Sequence, residues 1–289
     1  VKQKRRWFWL ISPAALLIAG LFGGSLFFTL AESLGFFSSN GGVTFEYFRQ
    51  IIGDREVVAA FSFTLILTCV STVLSAICGV ALAIFLRGQM RSSRFLKTLL
   101  QIPLAVPHLA VALVLLNFLA PSGFLARIFY AFGAIKTPAD FPVLVNDAYG
   151  FGIVLTYVLK ETPFVALVVL TLLARVGDEY EQVAQNLGAN FWQRFRFVTL
   201  PLIAPSVVFS SLIVWVFVFG AFEIPFILGR TYPTTLAVVA QRKFNGTNLS
   251  ERPEAFALAI LMTLVTTLFV WFYLRRTKNT TEFEKTSIF

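Results

Sequence analysis

The sequence predicts an all-α membrane protein with six transmembrane helices. Three observations predict it. Hydrophobic residues make up 57% of the 289 positions and charged residues only 13%. The apolar residues gather in runs of about 20 or more, the length that crosses a bilayer as a helix. Lys and Arg are concentrated in alternate connections, as in a chain that threads back and forth through a membrane.

The first run, Trp7–Leu30, follows the basic stretch Lys-Gln-Lys-Arg-Arg at positions 2–6. It is too long for a signal-peptide core and lacks a small-residue cleavage site, so it is expected to stay as a span. The second, Val57–Leu86, is long enough to tilt or to carry an interfacial lead-in. It holds both cysteines, Cys69 and Cys78. At that spacing on a helix they face opposite sides and cannot pair, and they read as small core residues. The third run is Phe95–Leu119, with His108 after Pro107 and a lone polar Asn117. His108 reads as a packing or hydrogen-bonding residue. One histidine and two separated cysteines predict no metal site.

The fourth run, Tyr149–Ala174, carries Lys160 and Glu161 near its middle, just before Pro163. Charges at that depth are costly and face a bundle interior or a wet cavity. They either line a translocation path or its gate, or satisfy neighbours in the helix packing. The fifth run, Ser206–Leu228, has Glu223 in its outer third, followed by Pro225. Glu223 reads as path-lining, or as a structural partner for Lys160 or for a residue of another subunit. The sixth run is Ala255–Leu274.

Charge sets the orientation. The termini, the turn 87–97 and the loop 175–205 hold fifteen Lys and Arg, and the other side eight, with Lys160 inside a span. The positive-inside rule then puts both termini and those two connections in the cytoplasm. The net charge of +9 is explained by this flanking. No basic patch interleaves with aromatics outside the spans, so nucleic acid is not an expected partner. The chain is expected to form one transmembrane domain over 1–289.

The loop between the fourth and fifth spans, from Asp178 to Ser206, is polar and patterned. Tyr180, Val183, Ala184 and Leu187 recur at helical spacing and make one apolar face. Gly188 supplies a stop. Asn190 caps a second helix, with Gln193 three residues on. Phe191, Phe195 and Val198 form its stripe, Leu200–Pro201 ends it, and Pro205 opens the fifth span. Two amphipathic helices of this kind either lie on the membrane surface or fit a groove in a partner protein.

The loop resembles the signature of permease subunits of bacterial ATP-binding-cassette importers. That signature is a Glu-Ala-Ala triplet, a Gly four residues after it, and a hydrophobic-x-Leu-Pro ending. Here Gln182-Val183-Ala184, Gly188 and Val198-Thr199-Leu200-Pro201 stand at those places, with Glu181 one position before the triplet. Gln182 replaces the motif glutamate; either Glu181 substitutes for it or the contact is neutral. The resemblance implies the type I importer permease fold in a bacterial inner membrane. It also implies two cytoplasmic ATPase subunits docked on Glu181–Ala184, Leu187, Gly188, Phe191, Phe195, Val198, Leu200 and Pro201. It further implies a second permease, expected to be a different chain, and an extracytoplasmic solute-binding protein. ATP and magnesium belong to the ATPase, and no cofactor is expected on this chain, which has no G-x-x-x-x-G-K-[ST] stretch. The N-terminal and fifth-span regions look most like permeases of the polyamine, phosphonate, thiamine and iron branch, so a polyamine or similar small charged solute is the expectation. The competing reading is a secondary transporter or channel independent of ATP. Its sign, matched broken helices in two inverted halves, is absent from the first half.

Overall fold

The structure is a computed structural model and describes residues 2–37, 42–88, 93–176 and 179–286. Arg91 and Asp178 lie outside the described residues, as do the side chains of residues 2–10, Arg94, Lys97 and residues 276–286. In chain order the helices are α1 (Lys2–Ser33), α2 (Glu46–Gly53), α3 (Arg55–Leu86), α4 (Arg94–Ala105), α5 (His108–Leu119), α6 (Phe124–Ala131) and α7 (Phe151–Val176). There follow α8 (Glu179–Asn186), α9 (Phe191–Arg194), a π-helical turn (Phe195–Thr199), α10 (Leu200–Gly220), α11 (Glu223–Leu228), α12 (Leu236–Asn245) and α13 (Arg252–Thr286). Six stretches are long and apolar enough to span a membrane: Ile11–Ser33, Arg55–Leu86, His108–Ala131, Phe151–Val176, Phe191–Gly220 and Leu249–Arg275. Among the described residues there is no strand.

The helices group into two compact units, Val1–Val58 with Leu236–Phe289, and Ala59–Thr235. In the first unit α1 lies along α13, joined by Phe28 edge-on to Phe256 at 5.8 Å. A charged network holds α12 in place. Arg242 bonds Glu56, and Lys243 Nζ sits 2.7 Å from Glu254 and 3.7 Å from Asp54. Burial alone would pull the Lys243 ammonium down from 10.5. The bond to Glu254 and the charges of Glu254, Asp54 and Glu251 outweigh it and hold the pKa above that value. A folded pKa above the unfolded one gives stability that is complete below 10.5 and lost as pH rises through the folded value. The chain in detergent should therefore lose thermal stability in the alkaline range above 10.5, and Lys243→Met should flatten that part of the profile.

The second unit is built around α7. Tyr157, Val165 and Val169 are fully buried against Leu67 and Ala83 of α3, Ala112 of α5, Ile203 and Val214 of α10, and Ile224 and Leu228 of α11. Thr68, Ser71 and Ser75 of α3 are fully buried too. Small residues let membrane helices approach closely. A Cβ on Gly79 would stand 2.6 Å from Val165 Cβ and 3.1 Å from the Thr162 carbonyl. Gly79→Leu should destabilise the purified chain by about 1–3 kcal/mol, the cost of overpacking. An unfolding curve identical to that of the unmodified chain would refute this close approach.

Three expectations are corrected by this packing. The third run is not one helix. Pro107 has no N–H, and Val106 before it turns to extended backbone (ψ 130°), so α4 stops at Ala105 and α5 starts at His108. The fifth run breaks at Ala221 (ψ 135°), and Glu223 opens the short helix α11 beyond the break instead of lying within the span. Pro225 is tolerated there because the first turn of a helix does not need its N–H. Cys69 and Cys78 are exposed, not core, because the buried stripe of α3 runs through its small hydroxyl residues.

Candidate functional site

The loop after α7 folds as the spacing predicts up to Phe195. Gly188 adopts φ +86°, a left-handed conformation that favours glycine. Ala189 N–H then donates to Ala184 O at 3.0 Å and Gly188 N–H to Gln185 O at 2.9 Å. That pair is a Schellman motif, which closes α8 and turns the chain sharply. Asn190 Oδ1 accepts from Gln193 N–H at 2.9 Å, while Gln193 Oε1 accepts from Asn190 N–H at 2.8 Å. This capping box starts α9. Arg194 reaches back across the turn to Gln185 Oε1 at 2.5 Å.

Leu200–Pro201 does not end the second helix. Leu200 N–H bonds Phe195 O five residues back, and the π turn carries α9 directly into α10. Pro201 lacks the N–H that a regular turn would use, and a π turn is one way a helix absorbs such a gap. The loop's second helix is thus continuous with the fifth span. Phe191, Trp192 and Phe195 face Ile77, Val80 and Ile84 of α3 across an apolar groove of about 800 Å³.

Exposure sorts the predicted loop residues. Tyr180, Val183, Leu187 and Phe191 are exposed, Leu187 at 83%. Gln182, Gly188 and Pro201 are exposed as well, while Ala184, Phe195, Val198 and Leu200 are half-buried. Among the described residues the apolar face of α8 therefore has little to cover it. Glu181 points the other way. Its Oε1 accepts from Arg87, at the end of α3, and from Thr199 Oγ1 at 2.5 Å. Arg87 and Thr199 were not singled out in the sequence. The acid-free basic turn after the second span and a threonine inside the Leu-Pro ending were the available signals.

The charges at membrane depth form a second cluster. Lys160 is 3% exposed, and its Nζ donates to Pro103 O at 2.5 Å and Val106 O at 2.6 Å. Pro107 cannot donate to the Pro103 carbonyl, so the ammonium takes that place at the α4–α5 break. Glu161 Oε1 lies 3.1 Å from His108 Nε2. His108 packs on Phe217, ring centroids 4.7 Å apart. Lys160, Glu161, His108, Phe164 and Phe217 line a pocket of about 190 Å³. Beside it Tyr157, one turn before Glu161, has a buried hydroxyl with no hydrogen-bond partner among the described residues. Lys160 and Glu161 are thus brought to one pocket with His108. Asn117 stands apart, exposed and bonded to Leu113 O of its own helix at 2.9 Å. No metal-binding group of His, Cys, Asp and Glu is found among the described residues.

The family model described as "Binding-protein-dependent transport system inner membrane component" matches residues 75–277. The sulfate transport system permease protein CysT of Escherichia coli is 29% identical over 160 residues, 55% of this chain and 54% of that protein. The match thus spans about half the length of CysT. The trehalose transport system permease protein SugA of Mycobacterium tuberculosis is 28% identical over 217 residues, 73% of this chain and 68% of that one. A crystal structure of a bacterial ABC transporter that imports the acidic polysaccharide alginate superposes with a TM-score of 0.72. It is 19% identical and covers 95% of this chain and 99% of its own, a likeness of fold.

Proposed function

The chain belongs to the family of binding-protein-dependent transport system inner membrane components, and we propose that it is a permease subunit of an ATP-driven importer. It is a multi-pass protein of the inner membrane with the type I importer permease fold. ATP hydrolysis, with its magnesium, falls to separate cytoplasmic ATPase subunits. The observation that carries the reading is the loop 179–201. Its α8 is held in the first turn through Glu181 and closed at its C-terminus by the Schellman bonds, yet Tyr180 and Val183, and Leu187 just after it, stay uncovered. A rigid amphipathic helix with a bare apolar face suits a groove in a soluble partner. The excess of basic residues puts this face in the cytoplasm with both termini.

Transport then follows from two-state rearrangement. ATP-driven closure of a pair of ATPases moves the docked loops, and the spans switch between inward-open and outward-open states. The second helix of the loop runs without interruption into α10, so displacement of Phe191–Arg194 reaches the span directly. In this reading the pocket at Lys160, Glu161 and His108 belongs to the translocation path or its gate. Glu223, exposed at the start of α11, and Asn117, exposed on α5, are the outlying candidates. A second, different permease and an external solute-binding protein complete the assembly.

For the solute, the relatives named above carry sulfate and trehalose, so the proposal is a sulfate-type or sugar-type solute. The polyamine-like expectation has no support among them. Purifying the chain in mild detergent from its native membrane tests the class. An ATPase and a second six-span chain should come with it, and the associated binding protein should bind sulfate or trehalose. Recovery of the chain alone, with uptake that survives ATP depletion but fails with the ion gradient, would establish a secondary transporter instead.

A further inference from the structure

We propose that Glu181 is a transmission residue: with Arg87 and Thr199 it ties α8 to the cytoplasmic ends of the second and fifth spans, so that the three move as one body. The inference rests on the permease reading for its purpose but not for its geometry. One carboxylate oxygen accepts from two donors on two different elements, Arg87 at the end of α3 and Thr199 in the π turn. Those donors are 94 residues before it and 18 after it in the chain.

The site is sheltered. Thr199 is 4% exposed, and the Arg87 and Glu181 side chains are 19% and 28% exposed. A charge-assisted bond shielded in this way is stronger and less screened than a surface pair. The tie matters because α8 has little else to hold it. It is eight residues long, none of them is buried, and its apolar side chains face outward. A helix so short does not persist on its own propensity. Without a tie, a push on Val183 or Leu187 would slide α8 over the π turn. With it, the same push reaches α3 and α10 together.

The tie also separates two neighbouring residues. Glu181 is turned inward and spoken for, while Gln182 is exposed and neutral. A partner protein on this face therefore meets an amide at 182 and not a carboxylate at 181. The opposing position on the ATPase needs a hydrogen-bonding group and gains nothing from a cation.

The test has two arms, both on the full chain in lipid nanodiscs. The first is hydrogen exchange of the chain alone. Glu181→Gln and Arg87→Gln should each speed exchange across 179–188 by about tenfold, the loss of one charge-assisted bond. The exchanged pair Glu181→Arg with Arg87→Glu should restore most of the protection. Exchange unchanged in both single variants overturns the tie. The second arm uses the complex purified with its ATPase, with spin labels at Asn186→Cys, exposed at the end of α8 and outside the docking face, and at the exposed Phe85→Cys, and with Cys69 and Cys78 replaced by serine. The distance should stay the same between nucleotide-free and ATP–vanadate states, and should change between them in Glu181→Gln. A Glu181→Gln variant that keeps the fixed distance overturns the transmission role. If no ATPase accompanies the chain, the permease reading fails, and the exchange arm still decides whether the tie exists.

Discussion

Lys160→Met should lower the unfolding free energy of the chain in detergent by about 2–5 kcal/mol, and its amount in the membrane should fall with it. Methionine keeps the length and the apolar stem and removes only the ammonium. Two carbonyls, Pro103 O and Val106 O, then lose their donor at a site 3% exposed. Each orphaned buried carbonyl costs about 1–3 kcal/mol. Glu161 also loses the neighbouring cation, though it keeps His108. Lys160→Arg retains the charge but puts a planar fork where a compact ammonium fits, and should fall between the two. Leu159→Met, at a position 49% exposed, is the control and should leave the curve in place. A Lys160→Met chain as stable as the control would mean the ammonium does not bridge the α4–α5 break. The effect should reach function, because Leu104, just before the break, and His108, just after it, line the same pocket as Lys160.

The same residue shows what the sequence could and could not disclose. That Lys160 and Glu161 sit deep in an apolar run is visible in the residues, and so is the cost of placing them there. Which of two readings applies depends on what faces them. For Lys160 that is a pair of carbonyls set free by a proline 53 positions earlier, a partnership no local pattern reveals. For Glu161 it is the chain's one histidine, and hydrogen bonding was the expected role of that histidine. The six spans were legible because apolar length is a property of the segment alone. Their interruptions were not, because Pro107, Pro201 and Pro225 break, distort or spare a helix according to where each lies relative to the first turn. The loop was legible as far as Phe195: the glycine stop and the capping box are local and both form, Asn190 with Gln193 as expected, whereas the end expected at Leu200–Pro201 does not. Its link to the rest of the chain, from Glu181 to Arg87, spans 94 residues and needed coordinates.

Gly188→Val should reduce uptake by about tenfold or more, with the protein inserted at its usual level. The glycine is held at φ +86°, where a β-branched residue is a severe outlier. No atom of the described residues lies within 4 Å of the Cβ position, so the penalty comes from the backbone and not from collision. The strain of about 1–2 kcal/mol falls on the two Schellman bonds, from Ala189 to Ala184 and from Gly188 to Gln185. The spans do not depend on these bonds, so the fold survives. What is lost is the fixed angle between α8, with Tyr180, Val183 and Leu187 exposed, and the helix that leads into α10. A partner that seats both helices then meets them in the wrong relation. Gly188→Asn separates this account from simple crowding. Asparagine is nearly as bulky as valine but tolerates the left-handed region, so it should transport within about twofold of the unmodified chain. If the valine and asparagine variants fail equally, the open surface around Gly188 is occupied by the partner and size decides. If both transport normally, the turn carries no force, and the coupling must run through another part of the chain.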